Sequence, residues 1–387
     1  MTVGWDVDPV VAAWRGLPPL DADVTADACV VGLGASGLAA AQALVDRGLS
    51  VVGVDAGRVG AGAGGRNGGF LLGGPALFLH DAIARWGAED AVGLYRETLA
   101  ELDALQTAFG PDVVTRSGSI RLAGLPGVPV DAAEAEDTGA ERYDCMAHAD
   151  ALRQHGFDVE EYAGPLGTGI FLPDDASMNP AVRIVRTAEA LVPVAALHEH
   201  TLVRAVSPGQ VETEGGVVSA GVVVVAVDGR LEVLLPQLAS HVRTARLQML
   251  ATAPVPPGRL PCPVYGRWGF DYAQQSVDGR LFVGGGRDRF VDDEWTTDAQ
   301  PTARVQRHIE TVAVRMAGRR IEVTHRWGAS VGFTADGRPL CARVDDDVIA
   351  VGGYNGTGNV VGPIAARAAV ALAVDQLPPP AWFTSAM

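Results

Sequence analysis

Three glycines at fixed spacing constrain this chain more than any other feature. In Gly32-Leu33-Gly34-Ala35-Ser36-Gly37 they stand between a short apolar run and an alanine-rich helical one. Ala28-Cys29-Val30-Val31 leads into Gly32, Leu38 to Asp46 has helical composition up to Gly48, and Ser50 to Asp55 is a second, β-branched run. Strand, glycine turn, helix and strand in that order make the layout of a parallel βαβ unit. In such a unit the first glycine makes the tight turn, the second lets pyrophosphate approach the backbone, and the third lets helix meet strand. The helix N-terminus then offers unpaired N–H groups and partial positive charge to the phosphates. Asp55, 18 residues after Gly37, ends the second run, where an acidic side chain accepts hydrogen bonds from an adenosine ribose. To this point NAD and FAD are equally open.

The rest of the composition removes alternatives. A chain of 387 residues exceeds one ordinary core and suits two domains. With 48% hydrophobic and 20% charged residues it is expected to fold throughout. The formal charge of −16 opposes binding to nucleic acid or to an anionic membrane, so neither partner is expected. Cys29, Cys145, Cys262 and Cys341 lie far apart without a Cys-x-x-Cys pair, which favours a reducing cytoplasm over disulfides or zinc. Asp6 and Asp8 stand where an export signal needs positive charge, so the mature protein is expected to start here. Val360 to Val374 is interrupted by Gly362, Pro363 and Arg367 and is too short for a membrane helix. All 30 basic residues are arginine. The absence of lysine excludes P-loop nucleotidases, pyridoxal-phosphate enzymes and kinases, each of which needs one.

Further along, glycine is so frequent from Gly57 to Gly74 that regular structure is not expected and close backbone approach to a ligand is. Asp81 to Phe109 reads as helices, Val113 to Leu122 as a β-ribbon interrupted by Gly118, and Asn179-Pro180 as a helix start. Leu197 to Val227 reads as three strands with turns at Pro208-Gly209 and Gly215-Gly216. Strands continue from Val242 to Gly286, Thr302 to Met316 is helical, and the tail is strand, glycine-rich turn and helix to Asp375. Asp345-Asp346-Asp347 reads as a turn, and His198 and His200 as two residues on one strand face without a third metal ligand. No metal site is expected.

Ala61-Gly62-Ala63-Gly64-Gly65-Arg66-Asn67-Gly68-Gly69-Phe70 resembles the Ser-Gly-Arg-Asn-Gly-Gly loop of the FAD-dependent amine and amino-acid oxidoreductases, the D-amino-acid oxidase and glycine oxidase family, in its gamma-glutamylputrescine oxidoreductase branch. Gly64 departs from the usual serine. The resemblance runs from about Val24 to Asp375. It includes Arg246 to Pro254, the hairpin Asp271-Tyr272 with Asp278 to Gly286, Trp327-Gly328 before Thr334 to Pro339, and Gly352 to Asn359. It implies an α/β fold: a Rossmann-type FAD-binding domain with a mixed sheet, and an inserted α+β substrate domain on an antiparallel sheet. The expected boundaries are 24–75, 170–235 and 325–380 for the FAD domain and 76–169 and 236–324 for the substrate domain, with 1–23 an extension packed on the surface.

The cofactor set that follows is Gly32, Gly34, Ser36, Gly37, Asp55, Ala56, Arg66, Asn67, Gly68, Gly69, Val203, Gly353, Asn355, Gly356, Thr357, Gly358 and Asn359. A helix N-terminus after the last glycine turn would stabilise the negative charge of reduced flavin. The glycine loop has no Cys or His, and Cys341 and His325 flank the Trp327 strand, so FAD is expected to be noncovalent.

Because flavin accepts the hydride, the site needs a dry aromatic wall more than a catalytic triad. Trp268, Phe270 and Tyr272 alternate along one expected strand, opposite Arg267, Gly269 and Asp271, and could accommodate an amine by cation–π contact. Plain core packing is the other reading of that alternation. Tyr272, Trp327, Tyr354 and Trp268 are the catalytic candidates. Amino-acid-oxidising members resemble Gly-Leu-Arg-Pro where this chain has Val331, so the arginine that grips an α-carboxylate is missing. Arg267, Arg287 or Arg326 are the alternative sources of charge. The expected substrate is a small primary or secondary amine, or an amino acid, oxidised at its C–N bond by hydride transfer to flavin N5. Oxygen or another acceptor takes the electrons. Without a lysine near N5, reaction with oxygen is expected to be slow. A flavin dehydrogenase or hydroxylase acting on a non-amine, a flavin-binding protein without turnover, and self-association into a homo-oligomer all stay open.

Overall fold

The computed structural model describes residues 3–384, so residues 1 and 2 of the expected N-terminal extension lie outside the described part. The chain divides into two compact units. One comprises Val7–Arg66, Pro180–Ala245 and Ser330–Met387; the other comprises Met1–Asp6, Asn67–Asn179 and Arg246–Ala329. The chain changes unit inside the strands Val242–Thr252 and Val323–Thr334.

In the first of these units strand Val24–Val31 pairs in parallel with Val51–Val54 on one side and Val217–Val225 on the other. Ala196–His198 extends the sheet in parallel beyond Val51–Val54, and Val348–Gly352 pairs in parallel with Val217–Val225. The meander Val203–Ser207, Gln210–Thr213 and Val217–Val225 is antiparallel, so the sheet is mixed, as expected. Its central strands are buried on both faces, which explains continuous runs such as Val223 to Val225. Helices Ala35–Val45 and Gly358–Val374 pack together. Gly362 makes their close approach feasible, since a Cβ there would stand 2.5 Å from Ser36 Oγ.

The other unit is built on a mainly antiparallel sheet. Its order is Val323–Thr334, Val242–Thr252, Leu281–Gly284, Asp271–Gln275, Val264–Gly266, Ser119–Leu122, Gly167–Leu172 and Glu160–Gly164. Ile120, Leu122, Val264, Ala273, Leu281 and Val283 form a core with Val305, Ile309, Val312 and Met316 of helix Ala303–Ala317. No described helix is long and apolar enough to cross a membrane, and no cluster of three metal-ligating side chains occurs among the described residues.

Four local readings are corrected. Val113 to Leu122 is no ribbon: Val114–Thr115 pairs with Ala176–Met178, whereas Ser119–Leu122 pairs with Gly167–Leu172 in another sheet. Gly118, at φ 67°, turns the chain between them. Glycine-rich 57–74 contains a helical turn, Ala63–Arg66, and the short strand Phe70–Leu71, because its neighbours supply backbone partners. His198 and His200 do not share a strand face, since the strand stops at His198 and His200 has φ 50°. Finally, 267–272 is not a strand throughout. Arg267, Trp268 and Gly269 have φ of 51°, 56° and 84°, forming the turn of a hairpin between Val264–Gly266 and Asp271–Gln275. Period-two alternation therefore breaks before Tyr272.

Candidate functional site

The glycine turn divides its three positions by the space around each. Gly32 has φ 95° and a Cβ there would lie 2.8 Å from the Ala226 carbonyl; at Gly37 a Cβ would overlap the Gly32 carbonyl at 1.6 Å. Gly34 has nothing within 4 Å of such an atom. The two outer glycines are thus steric necessities of strand–helix packing, while the middle one borders open space. Helix Ala35–Val45 starts there with no side-chain cap, leaving its first N–H groups available to an anion. Gly64 packs against this start: its Cβ would be 3.1 Å from the Ala35 nitrogen.

Asp55 is held by the turn it serves, accepting from Leu33 N–H and Gly57 N–H at 2.8 Å each. Burial pushes its carboxyl up and these N–H donors pull it down, with a net rise. Its carbonyl accepts from Thr201 N–H at 2.8 Å, two residues before Val203. Ala56 beside it is exposed. These features fit the ribose and pyrophosphate of a dinucleotide.

The late glycine turn is fixed just as firmly. Gly353, Asn355 and Gly356 have φ of 60°, 55° and 96°. The Asn355 amide donates to the Gly353 and Gly337 carbonyls at 2.8 and 3.0 Å, while its oxygen accepts from Thr334 N–H at 2.9 Å. Thr357 Oγ1 donates to the Tyr354 carbonyl at 2.8 Å, and helix Gly358–Val374 begins with no side-chain cap bond. The Asn359 carbonyl accepts from buried Arg183 at 2.6 Å. Tyr354 itself packs beneath this helix: Cβ atoms on Gly358 and Gly362 would meet its ring at 3.0 and 3.6 Å.

Sequence reasoning missed Asp228, whose carboxylate accepts from Tyr354 N–H at 3.2 Å and Gly332 N–H at 3.3 Å and so ties two strand ends to the turn. Burial pushes its carboxyl up to about 6. The Asp228-Gly229 pair directly after a buried strand was the available signal.

In the other unit Asn67, Gly68 and Gly69 are threaded through backbone contacts. The Asn67 carbonyl accepts from the Trp5 indole at 2.9 Å, Asn67 Oδ1 accepts from Gly69 N–H at 2.7 Å, and the Gly68 carbonyl accepts from Gln274. Gly68 lies over Tyr272, where a Cβ would be 3.1 Å from the ring. Tyr272 is half-buried and edge-on to Phe70 at 5.7 Å, and burial pushes its phenol up. Gln274 alternates with Tyr272 along one strand, so the period-two pattern contained it.

Trp327 and Trp268, in the same unit as Tyr272, have partners of their own. Trp327 is fully buried, edge-on to Phe282 at 6.3 Å. Trp268 donates its indole N–H to Asp144 at 2.7 Å and its backbone N–H to Glu141 at 2.5 Å. Of the arginines considered for a carboxylate, Arg267 pairs with Asp271 at 2.6 Å and with Asp288. Arg326 bonds Gln306 at 3.0 Å and Glu310. Arg287 stacks on Phe270 and Trp295 at 5.4 and 5.6 Å. Val331 is buried, at 8% exposure.

The family described as DAO, FAD dependent oxidoreductase, matches residues 27–372. The chain is 30% identical over 355 residues to a probable oxidoreductase OrdL of Rhizobium meliloti, covering 86% of this chain and 79% of that protein. It is 26% identical to the gamma-glutamylputrescine oxidoreductase of Escherichia coli, over 90% of this chain and 83% of that one. Its fold is that of glycine oxidase from Geobacillus kaustophilus, with a TM-score of 0.70 at 20% identity, covering 91% of this chain and 95% of the other.

Proposed function

The chain belongs to the DAO family of FAD-dependent oxidoreductases, and from that premise we propose that it oxidises the C–N bond of a small primary or secondary amine to an imine that water hydrolyses. When bound, FAD supplies the acceptor, at its N5, for the hydride that leaves the carbon beside nitrogen. In the first unit Gly32, Gly34, Ser36 and Gly37 would hold the pyrophosphate, Asp55, Ala56 and Val203 the adenosine end, and Arg66 with Gly353 to Asn359 the flavin end; in the other unit Asn67, Gly68 and Gly69 are the proposed cofactor contacts. The uncapped start of helix Gly358–Val374 would stabilise negative charge on the pyrimidine edge.

Tyr272 is the side chain we assign to substrate positioning. Its ring gives an aromatic wall to the amine, and its phenol, protonated at neutral pH even at its ordinary value, is pushed further up by burial. A protonated hydroxyl can donate as well as accept one hydrogen bond. Trp327, Tyr354 and Trp268 are read as support for that wall and for the cofactor turn, each being committed to packing or to hydrogen bonds within its own unit.

The observation that carries the choice of an amine over an α-amino acid is Val331. A buried valine stands where the resemblance calls for a carboxylate-binding arginine, and an apolar side chain cannot repay the desolvation of a carboxylate. Anaerobic addition of primary amines, secondary amines and α-amino acids to the FAD-loaded protein, followed by flavin absorbance, tests this. Amines should bleach the flavin. Bleaching by α-amino acids alone would defeat the argument from Val331, and bleaching by neither class would leave a flavin-binding protein without amine turnover.

A further inference from the structure

Paired residues in a sheet share a face, and on the sheet of the unit that carries Tyr272 this builds one continuous row. Arg121 lies opposite Tyr265, Tyr265 opposite Tyr272, and Tyr272 opposite Gly284. This is the face on which Tyr272 meets Gly68. Arg121 is only 9% exposed. Its guanidinium carbon lies 4.3 Å from the ring centroid of Phe78 and 4.5 Å from that of Tyr265, so two aromatic rings sandwich it.

Arg121 feels the buried Glu141 carboxyl and hydrogen-bonds the Tyr265 side chain, but it forms no ion pair among the described residues. Arg121 Nε is buried without a hydrogen-bond partner among the described residues. The two buried acids that feel its charge are already occupied. Glu141 accepts from Gly124, Arg267 and Trp268 N–H at 2.7, 2.9 and 2.5 Å, while Asp175 accepts from the Ser119 hydroxyl and Gly73 N–H at 2.6 and 2.7 Å. Nearby His148 is buried and takes Leu79 N–H on its Nδ1 at 2.9 Å, an acceptor role that leaves that nitrogen unprotonated. A desolvated cation is costly unless paired; here the guanidinium lies between two rings, hydrogen-bonds the Tyr265 side chain and keeps its Nε donor unmet. An anion approaching in that plane would meet a pre-oriented fork.

We propose that Arg121 is the specificity-determining residue of the substrate site, binding a carboxylate that the amine carries several bonds away from the carbon being oxidised. The inference rests on the amine reading above and deepens it. Arg121 stands two strands from Tyr272, about 10 Å along the row at the usual inter-strand spacing. That separation fits an ω-amino acid or an amine with a remote carboxylate. An α-amino acid, whose carboxylate is attached to the reacting carbon, does not span it.

The test uses the FAD-loaded full chain. Anaerobic flavin reduction is compared for ε-aminocaproate, hexylamine and norleucine, which separate remote carboxylate, no carboxylate and α-carboxylate. Binding of caproate, which cannot be oxidised, is followed separately by its perturbation of the flavin spectrum in wild type, Arg121→Gln and Arg121→Lys. Wild type should favour ε-aminocaproate over both other amines by about 10- to 100-fold, the range for a charged hydrogen-bonded pair. Caproate should bind more weakly to Arg121→Gln by a similar factor, with partial recovery in Arg121→Lys. Equal reduction by ε-aminocaproate and hexylamine, a preference for norleucine, or unchanged caproate binding in Arg121→Gln would overturn the proposal. If Arg121→Gln does not fold, the wild-type comparison of the three amines decides alone. If no amine reduces the flavin, the amine reading fails, and the caproate measurement still decides whether Arg121 anchors a carboxylate.

Discussion

The ring of Tyr272 occupies the space that a side chain on Gly284 would need: a Cβ there would stand 2.4 Å from both Cζ and Oη of the tyrosine. The two residues are directly opposed on neighbouring strands, so neither backbone can retreat without breaking the ladder. Gly284→Ala should therefore push the Tyr272 ring aside and destabilise the protein by about 1–3 kcal/mol, the usual cost of overpacking. Urea unfolding measures the loss. In the double variant with Tyr272→Ala the penalty should largely vanish, and a penalty that persisted would place the clash elsewhere.

Trp5 stacks on Phe282, with ring centroids 3.3 Å apart and planes 3° from parallel, and is itself only 3% exposed. It also holds the Asn67 carbonyl at 2.9 Å. Trp5→Ala should cost about 3–5 kcal/mol and loosen the Asn67–Gly69 loop. Trp5→Phe, which keeps the stack and loses the indole donor, should cost about 1 kcal/mol. Thermal unfolding of the two variants separates packing from hydrogen bonding, and equal losses would make the donor irrelevant.

Buried carboxyls set the sign of the pH dependence. Burial pushes Glu141 up to about 7, against three backbone donors that pull it down, and pushes Asp175 and Asp228 up to about 6. The folded state therefore binds these protons more tightly than the unfolded one. The stability they contribute is full below the ordinary carboxyl range and is lost as pH rises through about 6 to 7. For Glu141 the loss is at most about 3 kcal/mol. Glu141→Gln cannot titrate, so its unfolding free energy should gain on wild type as pH is raised toward neutrality. A constant difference across that range would remove Glu141 from the explanation.

FAD should leave the protein on denaturation. Cys29, Cys145, Cys262 and Cys341 are all buried, with burial pushing each thiol up to about 12. Such thiols are poor nucleophiles toward a flavin ring. His325 is held beside Thr324 Oγ1 at 2.9 Å. Acid precipitation followed by a flavin spectrum of the supernatant checks this: yellow colour retained in the pellet would mean a covalent bond.

Local chemistry was readable from the order of residues because it acts over short spans. Gly32, Gly34 and Gly37 announced a dinucleotide turn by their spacing, although only Gly37 answers a steric demand made within a few residues, that of the Gly32 carbonyl. The hairpin Asp271–Gln275 with Leu281–Gly284 was legible through its resemblance to the family's hairpin. Trp268 and Phe270 were misplaced on that strand because left-handed backbone at Arg267 and Trp268 is rare for such residues, and nothing nearby announces it. It is stabilised by Glu141, far away in sequence, through the N–H groups of those two residues.

The sequence by itself determined the cofactor turn, the parallel βαβ unit that carries it and the lack of any lysine to take part in chemistry. Only the tertiary structure decided which side chains accompany Tyr272. Arg121, Tyr265, Tyr272 and Gly284 come from four strands and meet through hydrogen-bonded register, a relation that no local periodicity encodes. The same register leaves the Arg121 guanidinium buried between two rings without an ion-pair partner among the described residues, whereas along the chain it is one arginine among 30.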